Sequence, residues 1–159
     1  MRQFAVVLLV TATLGSSAVA ARTPESDPMT AAPPIGYYTF QKVVYQNDGG
    51  YPDDRAYFER LLRNINAHLS ATNSNVEIRV VSFGAGIKLF QMARSEPQLA
   101  SEIDGLKAKH VTFLVCRNTL RAMNLKPEDL FGVEAADIVP SGVAELARLQ
   151  GQGFVYLHP

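Results

Sequence analysis

Cys116 is the only cysteine in this 159-residue chain. It sits in HVTFLVCRNTLRAM (110–123), where a near-continuous apolar run gives way at once to polar residues able to start a helix. A thiol at the carboxyl end of a strand, just ahead of a helix, meets the partial positive charge and unpaired N–H groups of the first helical turn. Both favour the thiolate and lower the thiol pKa, and Arg117 places a full positive charge next door. A lone thiolate suffices, without a second cysteine or a metal, to attack divalent sulfur, accept a sulfane sulfur as a persulfide and pass it to another thiol. The competing reading is packing, since free cysteine is among the most buried residue types.

Other chemistries lack their residues. A dithiol oxidoreductase needs C-x-x-C, and zinc or iron–sulfur sites need several Cys or His ligands. The histidines His68, His110 and His158 share no ligand spacing. His68 falls late in a helix and His110 precedes a strand, which puts both at the edge away from Cys116. His158 follows the last strand and alone lies at the edge where it can approach the thiol, although a solvent-exposed residue near a terminus is the plainer reading. The glycines of Asn47-Asp48-Gly49-Gly50 and Gly84-Ala85-Gly86 match neither a dinucleotide fingerprint nor a P-loop. Tight turns account for them on steric grounds, and Asp48 reads as a turn residue before it reads as a pocket carboxylate. No metal and no cofactor is called for.

The elements that position these residues alternate. Lys42–Tyr45 is β-prone and ends in the polar turn 47–50. Phe58, Leu61, Leu62, Ile65 and Leu69 recur at helical spacing, with Arg55, Glu59, Arg60, Arg63 and Asn66 opposite, the pattern of an amphipathic helix. Val76–Val81 reads as a strand leading into the turn 82–86, followed by helices over 87–93 and 97–107. Val111–Val115 is apolar enough for a strand covered on both faces, as in the middle of a parallel sheet. Asn118 or Thr119 is suited to cap the helix after Cys116. A short strand at 137–139, a helix over 141–150 and a strand at 154–157 complete the chain. Strands separated by helices predict a three-layer α/β/α domain with a five-stranded, mainly parallel sheet and flavodoxin-like layering. In such a sheet ligands bind beyond the carboxyl ends of the strands. The pocket candidates there are Asn47, Asp48, Gly49, Gly84, Arg117, Asn118, Thr119, Pro140, Ser141 and Gly142.

Composition narrows the class further. Fifteen basic and fifteen acidic side chains cancel, so there is no clustered basic excess of the kind a nucleic-acid binder shows. Residues 1–20, MRQFAVVLLVTATLGSSAVA, have the charged start, apolar run and Ala-x-Ala ending of a secretory signal peptide. Cleavage after Ala20 or Ala21 leaves a soluble periplasmic or secreted protein with no membrane contact. Residues 21–36, rich in proline and poor in bulky apolar groups, read as a disordered linker, and residues 37–159 as the folded domain.

Over about Lys42 to Pro159 the chain resembles the DsrE/DsrF-like proteins, in particular the group labelled intracellular sulfur oxidation proteins. FLVCRNTL (113–120) and IVPSGVAELARLQGQGFVYLHP (138–159) carry the likeness most specifically; VVYQNDGG (43–50) and VVSFGAGIKLF (80–90) carry it more loosely. The resemblance implies a compact α/β domain that assembles into trimers or hexamers. It further implies a sulfur-relay role, sulfurtransferase-like at most, in which a cysteine at the position of Cys116 holds persulfide sulfur between donor and acceptor proteins or small thiols. The alternative is a non-catalytic oligomeric module that binds a ligand or protein and buries a structural cysteine.

Overall fold

The computed structural model describes residues 36–159 together with Met29, Ala31 and Pro34. The expected signal peptide and most of the expected linker lie outside the described residues. Five strands, β1 (Gln41–Asn47), β2 (Val76–Ser82), β3 (Thr112–Cys116), β4 (Ile138–Val139) and β5 (Val155–Leu157), form one sheet in the order β4-β3-β2-β1-β5. Every pairing is parallel. The expected α/β sheet flanked by helices is present, and the sheet is wholly rather than mainly parallel.

The helices are α1 (Asp54–Ala71), α2 (Lys88–Ala93), α3 (Pro97–Ala108), α4 (Arg117–Ala122) and α5 (Gly142–Gly151). α1 starts where the Asp53 side chain accepts the Ala56 N–H at 3.0 Å, an N-cap that satisfies one of the orphan donors. Its apolar stripe, Phe58, Leu61, Leu62, Ile65 and Leu69, is buried as the spacing requires.

From β1 to β4 the chain steps across the sheet in one direction. Right-handed crossovers then bring the intervening helices to a single face. The larger core accordingly joins Val43, Ile78, Val80, Phe113 and Val115 to Phe58, Ile65, Phe90, Ile103 and Leu120, the last from α4. After β4 the chain returns to the far edge, beside β1, and this reversal carries α5 to the other face. There Leu146 and Leu149 cover Val44, Val81 and Leu114.

Three local features differ from the sequence expectation. The middle strand is β2, while β3 lies between β2 and the two-residue β4. β3 is an interior strand, and its run Phe113–Val115 is apolar because helices cover it on both faces, as expected. Helix α4 is capped by Cys116 itself rather than by Asn118 or Thr119; the extended backbone of Cys116 (φ −74, ψ 115) passes into the helix with no loop residue between. The turn after β2 winds into a 3-10 turn, Gly84–Ile87, before α2 begins at Lys88.

Phe58 is fully buried, so Phe58→Ala should cost about 3–5 kcal/mol by leaving a cavity. Met123→Ala, at a 39% exposed position, should stay within about 0.5 kcal/mol. Urea unfolding followed by circular dichroism measures both.

Candidate functional site

Side chains alternate across a strand. Val115 points into the larger core, so Cys116 and Leu114 face α5. Cys116 is 5% exposed. Its neighbour across the β3–β4 pairing is Val139. One turn later the chain enters α5, where the Ser141 hydroxyl accepts the Ala144 N–H at 3.4 Å and so caps the helix. Gly142 packs so closely that a Cβ there would lie 2.7 Å from Phe83 Cδ1. The missing side chain lets the start of α5 settle onto Phe83, in the turn that follows β2.

Cys116 therefore lies between the starts of two helices on opposite faces of the sheet. As a neutral thiol it makes no side-chain capping hydrogen bond. Burial by itself pushes the thiol pKa up, but four donors oppose it: the N–H groups of Gly142, Thr119 and Asn118, and the Thr119 hydroxyl. The net effect holds the thiol below its ordinary range. An ionised sulfur is a far better acceptor than a thiol, which is why donors that contribute little to the neutral form favour the charged one. Arg117 is exposed and is not among the groups that lower the thiol pKa.

The Thr119 hydroxyl is itself held in place. Its oxygen accepts the Gly84 N–H at 3.1 Å, leaving the hydroxyl proton free to point at sulfur. Gly84 adopts φ +53, a left-handed conformation that favours glycine. This links the turn after β2 directly to the first turn of α4.

Asn47, Asp48 and Gly49 form a separate wall at the ends of β1 and β2. Asn47 is fully buried, and its Nδ2 donates to Ser82 Oγ and to the Gly86 carbonyl, each at 3.0 Å. Its Oδ1 has no partner among the described residues. Gly49, at φ +88, packs where a Cβ would meet Ala85 Cβ at 2.6 Å. Asp48 accepts from Gln46 at 2.9 Å and pairs with His158 Nε2 at 3.0 Å. Nearby, Tyr57 donates to the Gln46 carbonyl; its phenol is pushed up to about 12, chiefly by burial and then by the Asp48 charge.

This arrangement settles His158. β5 is three strands from β3, about 14 Å at the usual strand spacing, and the imidazole is engaged by Asp48. No Cys–His pair forms. His68 lies at the opposite edge as expected, between Tyr45 OH (2.8 Å) and Gln41 Oε1 (2.7 Å), and burial lowers its pKa. Among the described residues no group of three or more His, Cys, Asp or Glu side chains can hold a metal ion, and no helix is long and apolar enough to cross a membrane.

A family model described as the DsrE/DsrF-like family matches residues 41–159. The chain belongs to the DsrE/DsrF-like family. Among solved structures it is similar to MTH1491 of Methanobacterium thermoautotrophicum, a protein of unknown function. The two share 30% identity and a TM-score of 0.64, with 75% of this chain and 99% of that chain covered. A comparison with curated proteins finds no match.

Within this DsrE/DsrF-like domain the structure gathers Cys116, Asn118, Thr119, Gly84 and Gly142 at one point. Ser141 acts through its cap, and Pro140 is an exposed residue leading into it. Phe83 was not among the sequence candidates, yet it is the surface on which Gly142 rests. Its only sequence signal was one bulky residue inside an otherwise small turn, Ser82–Gly86.

Thr119→Val removes one donor to the thiolate, so the midpoint of Cys116 alkylation should move to higher pH. Thr119→Ser, which keeps the hydroxyl, should restore the lower midpoint. Iodoacetamide labelling of the folded protein across pH 5–10 reads the shift, and identical midpoints for all three proteins would refute the role of Thr119.

Proposed function

We propose that this protein carries sulfane sulfur as a persulfide on Cys116, as a sulfurtransferase-like member of its family. The observation that supports the reading is the placing of the buried thiol between the starts of α4 and α5, where the N–H groups of Gly142, Thr119 and Asn118 and the Thr119 hydroxyl favour the thiolate. The Cys116 thiolate attacks the outer sulfur of a donor persulfide, R–S–SH. The S–S bond breaks, the donor leaves as RS⁻, and Cys116–S–SH forms. An acceptor thiolate then attacks that outer sulfur and regenerates the Cys116 thiolate. The same N–H groups receive the returning charge.

The donors and acceptors are sulfur-handling proteins or small thiols. Two further parts of the proposal rest on sequence and family: export, with removal of residues 1–20 or 1–21, and assembly into a homo-oligomer, a trimer or a hexamer. A second reading has its own support. Cys116 is only 5% exposed, which suits a packed cysteine in a binding module that performs no chemistry.

Exposure of the purified protein to polysulfide, followed by intact mass spectrometry, separates the two. A one-sulfur adduct on the wild type that is lost in Cys116→Ser supports the carrier. Equal gain by both proteins, or by neither, removes it and leaves the binding module. The mature protein isolated after expression should begin at Ala21 or Arg22, as N-terminal sequencing will show; an intact Met1 would refute export by cleavage.

A further inference from the structure

The sheet face beneath α5 carries charge where apolar packing is the norm. Glu77 and Arg79 share the face of Val81, which packs under α5. Arg79 Nε and Nη2 donate to Glu77 Oε1 at 3.2 and 2.7 Å, and its Nη1 donates to Thr112 Oγ1 at 2.9 Å. From α5, Arg148 grips the Glu145 carboxylate with Nε at 2.8 Å and Nη2 at 2.5 Å. Glu145 is 7% exposed. Hydrogen bonding from Arg148 keeps its carboxyl below the usual range, with the Arg79 charge adding to the effect across the helix–sheet gap.

These two ion pairs, with Lys42, Leu114 and Val139, line a cleft of about 340 Å³. A guanidinium has five N–H donors, and Arg148 spends two of them on Glu145. The remaining donors, held in a fixed fork by that carboxylate, are pre-oriented for a carboxylate ligand. Arg148 engages both oxygens of the buried Glu145, whereas Arg79 bonds Glu77 through Oε1 alone, which leaves Glu77 Oε2 to accept from an ammonium group. Both signs of charge are thus presented within one small volume, the complement of a zwitterion.

Cys116 does not line the cleft, but the cleft runs from the level of Arg79, which pairs with Thr112 about 13 Å before Cys116 along the strand, up to Val139 beside the thiol. Val139 lies in register with Cys116. Leu114 is two residues before Cys116 on the same face, about 7 Å along the strand.

We propose that this cleft binds a low-molecular-weight thiol bearing amino and carboxylate groups and of tripeptide length, of the glutathione kind, and that its persulfide is the donor Cys116 attacks. The proposal rests on the thiolate reading above for its chemistry but not for its binding. Anchored by its charged groups, such a ligand directs its own sulfur toward the end of β3. The step is the transfer already written, with the small thiol as RS⁻. A disulfide R–S–S–R undergoes the same attack, giving Cys116–S–S–R and RS⁻ with no external oxidant.

S-methylglutathione, which has no free sulfur to exchange, tests binding alone on the Cys116→Ser protein by calorimetry. Saturable binding that weakens at least tenfold in Arg148→Gln, and is partly kept in Arg148→Lys, supports the cleft. Absence of binding, or equal binding by all three, overturns it, whatever the polysulfide experiment shows. On the protein with Cys116 intact, glutathione disulfide should form a mixed disulfide at least tenfold faster than 2-hydroxyethyl disulfide at equal concentration. Arg148→Gln should erase that preference, with circular dichroism showing that the variant is folded. Equal rates for the two disulfides on the parent protein would overturn the proposal as well.

Discussion

The reversal of the chain after β4 is the constraint on which the rest of the structure depends. Four strands laid down in one direction bring α1 to α4 to one face and leave the other bare. The return to β5 is what supplies α5, and it must leave from the end of β4, directly beside Cys116. The meeting of two helix starts at one sulfur is therefore a result of strand order before it is a matter of any single residue. Such points in open α/β sheets are where neighbouring loops part to opposite faces and leave a crevice. Gly142 then matters because it lets α5 approach closely enough to aim an N–H group into that crevice.

The same topology explains the asymmetry of the two faces. Among the described residues one ten-residue helix stands over this face of the five strands, so it covers the middle and leaves a flank open. Charged side chains occupy that flank because water still reaches it, and their mutual pairing limits the cost of partial burial. A fully covered sheet would have needed leucine or valine at positions 77 and 79.

Most of the fold was legible in the amino-acid pattern. The 3.6-residue stripe of α1 and the apolar run before Cys116 each reflect burial that one face of one element decides locally. Strand order was not legible, because it depends on which strands pair, and pairing leaves no mark in a single strand's sequence. That gap accounts for what was missed at the site. Cys116 and Gly142 could both be named as candidates, but only the β3–β4 pairing places them together, and only the β1–β5 pairing removes His158 to the far edge. Glu77 and Arg79 carried a readable signal, alternate charges within a strand, whose meaning appears once the single helix on that face is known. Asp48 shows the reverse: a plausible pocket carboxylate whose neighbours are Gln46 and His158.

The pairing of β1 with β5 makes the first strand of the domain a neighbour of its last. During synthesis β1 emerges early and keeps one edge unpaired until residues 155–157 have followed it. An open edge of this kind is a template for unwanted association, and contacts of such sequence separation form slowly. The three-residue β5 thus acts as a late seal. Until it arrives, a nascent chain has its core helices available but no finished sheet, and it remains a substrate for any machinery that handles unfolded polypeptide.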